Sequence, residues 1–189
     1  MSEVIATSPF ENNFAEAQQP GGATPYVRAL LDLLGDRDPY TVLEATPQRI
    51  ESIVAGVDEE RLRRPERPGK WSLAEVVAHL ADSELVMGYR FRRILADERP
   101  QILGYDQDRW AERLRYRDAR IDDSLAQLAP LRAANVRLVR AATPEELQRV
   151  GLHSERGEES VAHLRNLWAA HDLVHLRQLE RIKAAVAQD

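Results

Sequence analysis

His171 and His175 stand four residues apart in a stretch whose apolar residues recur at Leu164, Leu167, Trp168, Leu179 and Ile182, the spacing of one face of an α-helix. At about 100° per residue, Leu164, Trp168, His171, His175 and Ile182 fall within roughly 60° of one another. Both imidazoles are therefore expected on the inward face. Two inward imidazoles one turn apart bind a single metal ion if a third ligand arrives from another helix. The competing reading is a pair of hydrogen-bonded core histidines.

Other chemistry has weaker support. His171-Asp172-x-x-His175 carries Asp where zinc peptidases carry Glu, one methylene shorter, and only fourteen residues follow His175 to supply the downstream ligand those enzymes use. Gly69-Lys70-Trp71-Ser72 lacks the upstream glycine and the preceding strand of a phosphate loop. Asp106-x-Asp108 lacks the glycine and closing Glu of a calcium loop. No Gly-x-Ser-x-Gly elbow is present. His153 on a polar loop and His163 in the first turn of the last helix read as solvated.

The elements that must position these residues are helical. Thr24-Pro25 opens a short helix to Leu34, and Asp38-Pro39 opens another piece that breaks and restarts at Thr46-Pro47, spanning 39–56 in all. Ser72-Leu73-Ala74-Glu75 has capping-box spacing and starts a helix to about Ala96. Glu84 falls within about 20° of the centre of that helix's apolar stripe. A carboxylate there must be paired, metal-bound or protonated unless the helix turns it to water, which makes Glu84 a candidate for proton transfer or for partnering a ligand. His79 lies roughly 120° off the same stripe, so periodicity leaves it between surface and interior. Glu75, one turn earlier, is either the capping acid or a partner for His79. Residues 97–118 read as a long loop whose Tyr105, Trp110 and Tyr116 plug the core or cover a pocket. A third long helix spans 119–142, with Pro130 expected to kink it. Residues 150–159 read as a loop, and the last helix spans 161–186. No stretch shows strand alternation. The fold class is all-α, a helix bundle with short additional N-terminal helices.

Residues 1–23 are expected to be a mobile polar tail and 24–189 one domain. The absence of cysteine excludes disulfides, thiolate metal sites and a cysteine nucleophile, leaving His, Asp and Glu as strong metal ligands. A net charge of −5, with 30 % charged residues of mixed sign, gives nucleic-acid binding no electrostatic support. No apolar run approaches a membrane span, and the first 20 residues hold acids but no base, unlike a signal peptide. The protein is expected to be cytoplasmic.

Trp71-Ser72-x-x-Glu75-x-x-x-His79-Leu80, together with His171-Asp172-x-x-His175-x-x-Gln178 and the loop Gly157-x-x-Ser160-Val161, resembles the DinB superfamily of DinB/YfiT-like metalloenzymes over about residues 38–186. The resemblance implies a four-helix bundle of up-down-down-up connectivity. It implies a divalent metal held by His79, His171 and His175, with zinc suited best to three neutral imidazoles and nickel, manganese or iron as alternatives. It also implies a small-molecule substrate, a low-molecular-weight thiol as partner in S-transferases of the family or water in a hydrolase, and a homodimer. The remaining alternative is a bundle that binds metal or dimerises without turnover.

Overall fold

The computed structural model describes residues 25–187; the tail expected over 1–23 and the cap expected at Thr24 lie outside the described residues. The helices are α1 (Pro25–Leu34), α2 (Pro39–Val54), α3 (Glu59–Arg63), α4 (Leu73–Ala96), α5 (Gln107–Arg113), α6 (Ile121–Arg140), α7 (Pro144–Leu147) and α8 (Val161–Val186). Short strands β1 (Gln101–Ile102), β2 (Val150–His153) and β3 (Gly157–Ser160) complete the chain. Among the described residues no helix is long and apolar enough to cross a membrane.

The side chains fix the bundle's direction. Leu43 packs in one cluster with Leu164 and Trp168, while Ile50 and Val54 pack in another with Leu179, Ile182 and Val186, so α2 and α8 run parallel. Asp82 accepts from Gln127 and Glu84 from Arg132, while Arg92 donates to Asn135, so α4 and α6 run parallel. His79 meets His171 and His175, whereas Phe91 meets Trp168, so α4 and α8 are antiparallel. Tyr40 reaches Val139 and Leu43 reaches Arg132, which makes α2 and α6 antiparallel. This is the up-down-down-up four-helix bundle. The consecutive parallel pair, α4 and α6, needs a long connection.

Two expectations are corrected. The break at Pro47 is absent, because α2 passes through it as one helix. Proline supplies no N–H to the carbonyl four residues back, here Leu43. Arg132 Nη1 donates to that oxygen at 2.7 Å, so the orphan acceptor is satisfied from α6. The helix α6 spans Ile121 to Arg140 with Pro130 inside it, as expected. The stretches read as loops contain a three-stranded sheet of order β1-β2-β3, parallel then antiparallel, with Gln101 opposite Leu152 and Gly151 opposite Glu159. The 97–118 segment also holds α5 and a 3-10 turn at Tyr116–Asp118. Tyr116 is the plug there: it is buried and donates to Asp82 Oδ2 at 2.7 Å.

α4 and α6 approach closely at Gly88, where a Cβ would lie 2.5 Å from Asn135 Oδ1. Asn135 cannot yield freely, since its amide donates to the Glu84 backbone oxygen and its Oδ1 accepts from Arg92. Gly88→Ala is expected to lower stability by about 1–3 kcal/mol, read as a shifted urea midpoint with an unchanged m-value.

Candidate metal centre

α4 brings His79 to the site from a start that the sequence marks plainly. Ser72 Oγ accepts from the Glu75 N–H at 3.3 Å and Glu75 Oε2 accepts from the Ser72 N–H at 2.8 Å. Glu75 is therefore the capping acid. One turn further on, His79 is 1 % exposed, with the Trp71 ring tilted over it at 5.0 Å between centroids. Burial is possible there because α4 is covered by α6 on one side and α8 on another, which widens its buried face beyond a single stripe.

His171 and His175 converge on His79. His79 Nε2 lies 3.2 Å from His171 Nε2, and His175 Nε2 lies 3.1 Å from His171 Nε2. The three ligand atoms lie within 4.8 Å of one another. Nitrogens about 2.1 Å from a tetrahedral ion stand roughly 3.4 Å apart, so the His79–His171 and His171–His175 spacings are close to those of a shared coordination sphere. His175 Nδ1 meets Gln178 Oε1 at 2.7 Å. The amide oxygen only accepts, so Nδ1 carries the proton and Nε2 presents its lone pair to the cluster. Among the described residues these three histidines form a group able to hold a metal ion.

The electrostatics favour the neutral ligand form. Burial pushes His171 down to about 4, with the Arg132 and Arg90 charges adding to it. Burial, then His171, takes His175 to about 3. His79 falls well below the ordinary imidazole range for the same leading reason. A histidine whose folded pKa lies below its unfolded value near 6.5 adds stability that is complete above about pH 6.5 and is lost as pH falls toward the folded value. The window therefore runs from about 6.5 down to about 4 for His171 and about 3 for His175. Metal-free protein should weaken progressively over that interval in urea titrations at stepped pH. A His175→Phe variant should show a shallower fall.

Beside the cluster, one guanidinium ties four helices together. Arg132 of α6 donates from Nε to Glu84 Oε1 of α4 at 2.8 Å and from Nη1 and Nη2 to Asp172 of α8 at 2.6 and 3.1 Å, besides its bond to α2. Trp168 Nε1 and Asn135 Nδ2 also donate to the Glu84 carboxylate. All three ionic residues are at most 2 % exposed. Burial opposes the Arg132 charge, but Asp172 and Glu84 outweigh it and hold its pKa above the ordinary value. Burial pushes Glu84 up against the pull of Arg132. Glu84 thus occupies an ionic brace and is not part of the wall of the adjoining cavity. Asp172, the acid of the peptidase-like pattern, is held by the same Arg132.

A cavity of about 480 Å³ opens next to His79 and His171. It runs between α4 and α8, under Tyr26 of α1, the Tyr105 loop and the tip of the β2–β3 hairpin. Tyr105 is therefore a wall residue; its hydroxyl lies 3.3 Å from Ser83 Oγ, and its ring packs on Trp110 at 4.3 Å. His153 is not solvated as expected: it is 4 % exposed and lines this cavity. His163 is half-buried, and its backbone N–H donates to the Ser160 cap. Arg132 and Arg90 escaped the sequence reading, and His153 was read as solvated. Arg132 carried a signal: it continues the α6 series Ile121, Leu125, Leu128 at helical spacing, so a base lay on a buried stripe facing an acid on another.

The family model of the DinB superfamily matches residues 42–179. The chain belongs to the DinB superfamily. It is 31 % identical over 144 residues to the Putative metal-dependent hydrolase YfiT of Bacillus subtilis (strain 168), covering 74 % of this chain and 81 % of that protein. A Bacillus mycoides (strain KBAB4) protein likewise named a metal-dependent hydrolase is 27 % identical over 168 residues, covering 89 % of this chain and 96 % of the relative. The solved structure of YfiT from Bacillus subtilis, described as an unusual four-helix bundle, superposes with a TM-score of 0.69 at 29 % identity, covering 76 % of this chain and 84 % of that one. His79, His171 and His175, the ligands expected from the DinB resemblance, all fall within the matched residues.

Proposed function

We propose that this DinB member is a metal-dependent enzyme, a hydrolase or a thiol S-transferase, with a divalent ion held by His79, His171 and His175 at the wall of its cavity. Zinc suits three neutral nitrogen donors best. The observation that carries the reading is the convergence of three neutral imidazoles, His79 and His175 buried and His171 half-buried, beside an open cavity. Such an ion acts as a Lewis acid and brings the pKa of a coordinated water or thiol toward neutrality. The naming of the relatives as metal-dependent hydrolases supports water. A thiol would come from a small molecule, since the chain has no cysteine.

The protein's residues have separable tasks. The three histidines hold the ion, Gln178 fixes the tautomer of His175, and Trp71 covers His79. The Arg132 brace keeps α4 and α8 in register, so the imidazoles meet without rearrangement. Ser83 stands one turn beyond His79 with its hydroxyl against that of Tyr105. Burial raises the Tyr105 pKa, so it remains a donor through neutral pH, able to stabilise negative charge that develops on a substrate. Tyr105→Phe is expected to lower turnover about 100-fold while leaving metal content unchanged.

The test is a substrate panel on protein purified without a nickel column: esters and amides for hydrolysis, and glutathione, bacillithiol and mycothiol with an electrophile for transfer. Turnover in one class, lost on chelation and restored by zinc, is the expected result. Stoichiometric metal with no turnover in either class would instead favour a binding or structural module.

A further inference from the structure

Arg90 is a buried cation without an anion. It is 8 % exposed and lines the cavity, and among the described residues its one hydrogen bond runs from Nη2 to the Leu103 carbonyl at 2.8 Å. Its Nε is buried without a partner. No carboxylate lies within ion-pair distance among the described residues. Glu159 and Glu155 act on its charge from beyond contact, and Glu159 is committed to Arg156 by bonds of 2.6 and 2.9 Å. Buried charges are normally paired, so this one requires a counter-ion from elsewhere.

His153 adds a neutral donor to the same wall. Its Nδ1 accepts from the Glu155 N–H at 3.2 Å, so the ring proton sits on Nε2, which is buried and unpartnered. Burial, reinforced by the Arg156 charge, takes its pKa to about 4, so it stays neutral at physiological pH. Two donor side chains with unmet capacity thus meet one ligand-sized space.

Their placement relative to the metal centre is set by α4. His79, Ser83, Met87 and Arg90 follow at four-, four- and three-residue steps, one face of the helix, and all line the cavity. Arg90 is eleven residues beyond His79, about 16 Å of helix rise, and its side chain leans back toward the helix N-terminus. Between the two ends Val86, Met87, Leu164, Leu167 and Trp168 give the wall an apolar side, and Ser83, Asp106 and Asp108 also line the cavity.

We propose that the cavity takes a carboxylate-bearing substrate with an apolar middle: its carboxylate pairs with Arg90 and accepts from His153, and its reacting end lies at the three-histidine centre. A carboxylate matches the single unpaired guanidinium in charge and accepts in the plane of its fork. The proposal rests on the metal-dependent reading for its reacting end only.

The probes are butanoate, hexanoate and octanoate against the corresponding alcohols and hexyl phosphate, titrated calorimetrically into metal-loaded protein and into protein treated with chelator. At least one carboxylate should bind about tenfold or more tightly than its alcohol, in both forms of the protein. Arg90→Gln should weaken that binding about tenfold or more without changing metal content. Arg90→Lys should recover part of the loss, and His153→Phe should weaken binding less than Arg90→Gln does. His171→Ala should leave it intact. Carboxylate binding that disappears on chelation or in His171→Ala, equal binding of the alcohols, tighter binding of hexyl phosphate, or no binding of any carboxylate would each overturn the proposal. Carboxylate binding without metal uptake would instead sink the metal-dependent reading and leave the Arg90 subsite standing.

Discussion

His171→Ala is expected to abolish stoichiometric metal binding while His163→Ala leaves it unchanged. His171 Nε2 is the hub of the cluster, 3.2 Å from that of His79 and 3.1 Å from that of His175. Its removal leaves two ligands from different helices. Loss of a residue that only supports a ligand costs about 10–100-fold in metal affinity, the range expected for Gln178→Leu. Loss of a ligand itself should exceed the upper end of that range. Competition titration of the metal-free protein against a chromogenic chelator measures both variants. Equal effects from His171→Ala, His153→Ala and His163→Ala would mean that the ligand assignment is wrong. The bundle should remain folded, because its two large apolar clusters do not depend on the imidazoles.

Arg132→Met should be among the most destabilising single changes in the chain, by about 3–5 kcal/mol. The guanidinium is 2 % exposed and is the ionic partner of both Glu84 and Asp172, themselves 0 % and 1 % exposed. Removing it leaves two carboxylates buried together and the Leu43 carbonyl without the donor that offsets Pro47. In a domain of this size the loss corresponds to a Tm fall on the order of 10 °C. Replacing all three ionic residues with apolar ones of similar volume should recover much of the stability, since the cost lies in unpaired charge. The same triple variant should still bind metal more weakly than the native chain, because Asp172 adjoins His171 and the brace sets its position. Urea unfolding and metal titration of the two variants separate these effects. A cost below about 1 kcal/mol for Arg132→Met would contradict the account of the brace.

How much of this was visible in the sequence differs from residue to residue. The long helices announce themselves through caps, such as Ser72 with Glu75 and Ser160 before Val161, and through apolar spacing. His171 and His175 were legible because they share a face with Leu164 and Trp168. His79 was not legible from periodicity, since α4 is buried by two neighbouring helices and a single-stripe wheel understates its interior; the DinB pattern supplied it. Glu84 on an apolar stripe demanded a partner, and the structure provides Arg132, which the sequence left unmatched because the two are 48 residues apart. The hairpin from Val150 to Ser160 was illegible for a different reason. The buried positions of β2 are Gly151 and His153, so its inside-outside alternation is not an alternation of hydrophobicity. His153 was misjudged along with the strand that carries it. Pro47 read as a break because the donor that replaces its missing hydrogen bond belongs to another helix.

The most direct test is a crystal of protein purified without added nickel, with diffraction collected across the absorption edges of zinc, nickel, iron and manganese. An anomalous peak within about 2.1 Å of Nε2 of His79, His171 and His175 together is the expected result. No peak there from protein supplied with these metals, or a ring of His79 turned away from the other two, would contradict it.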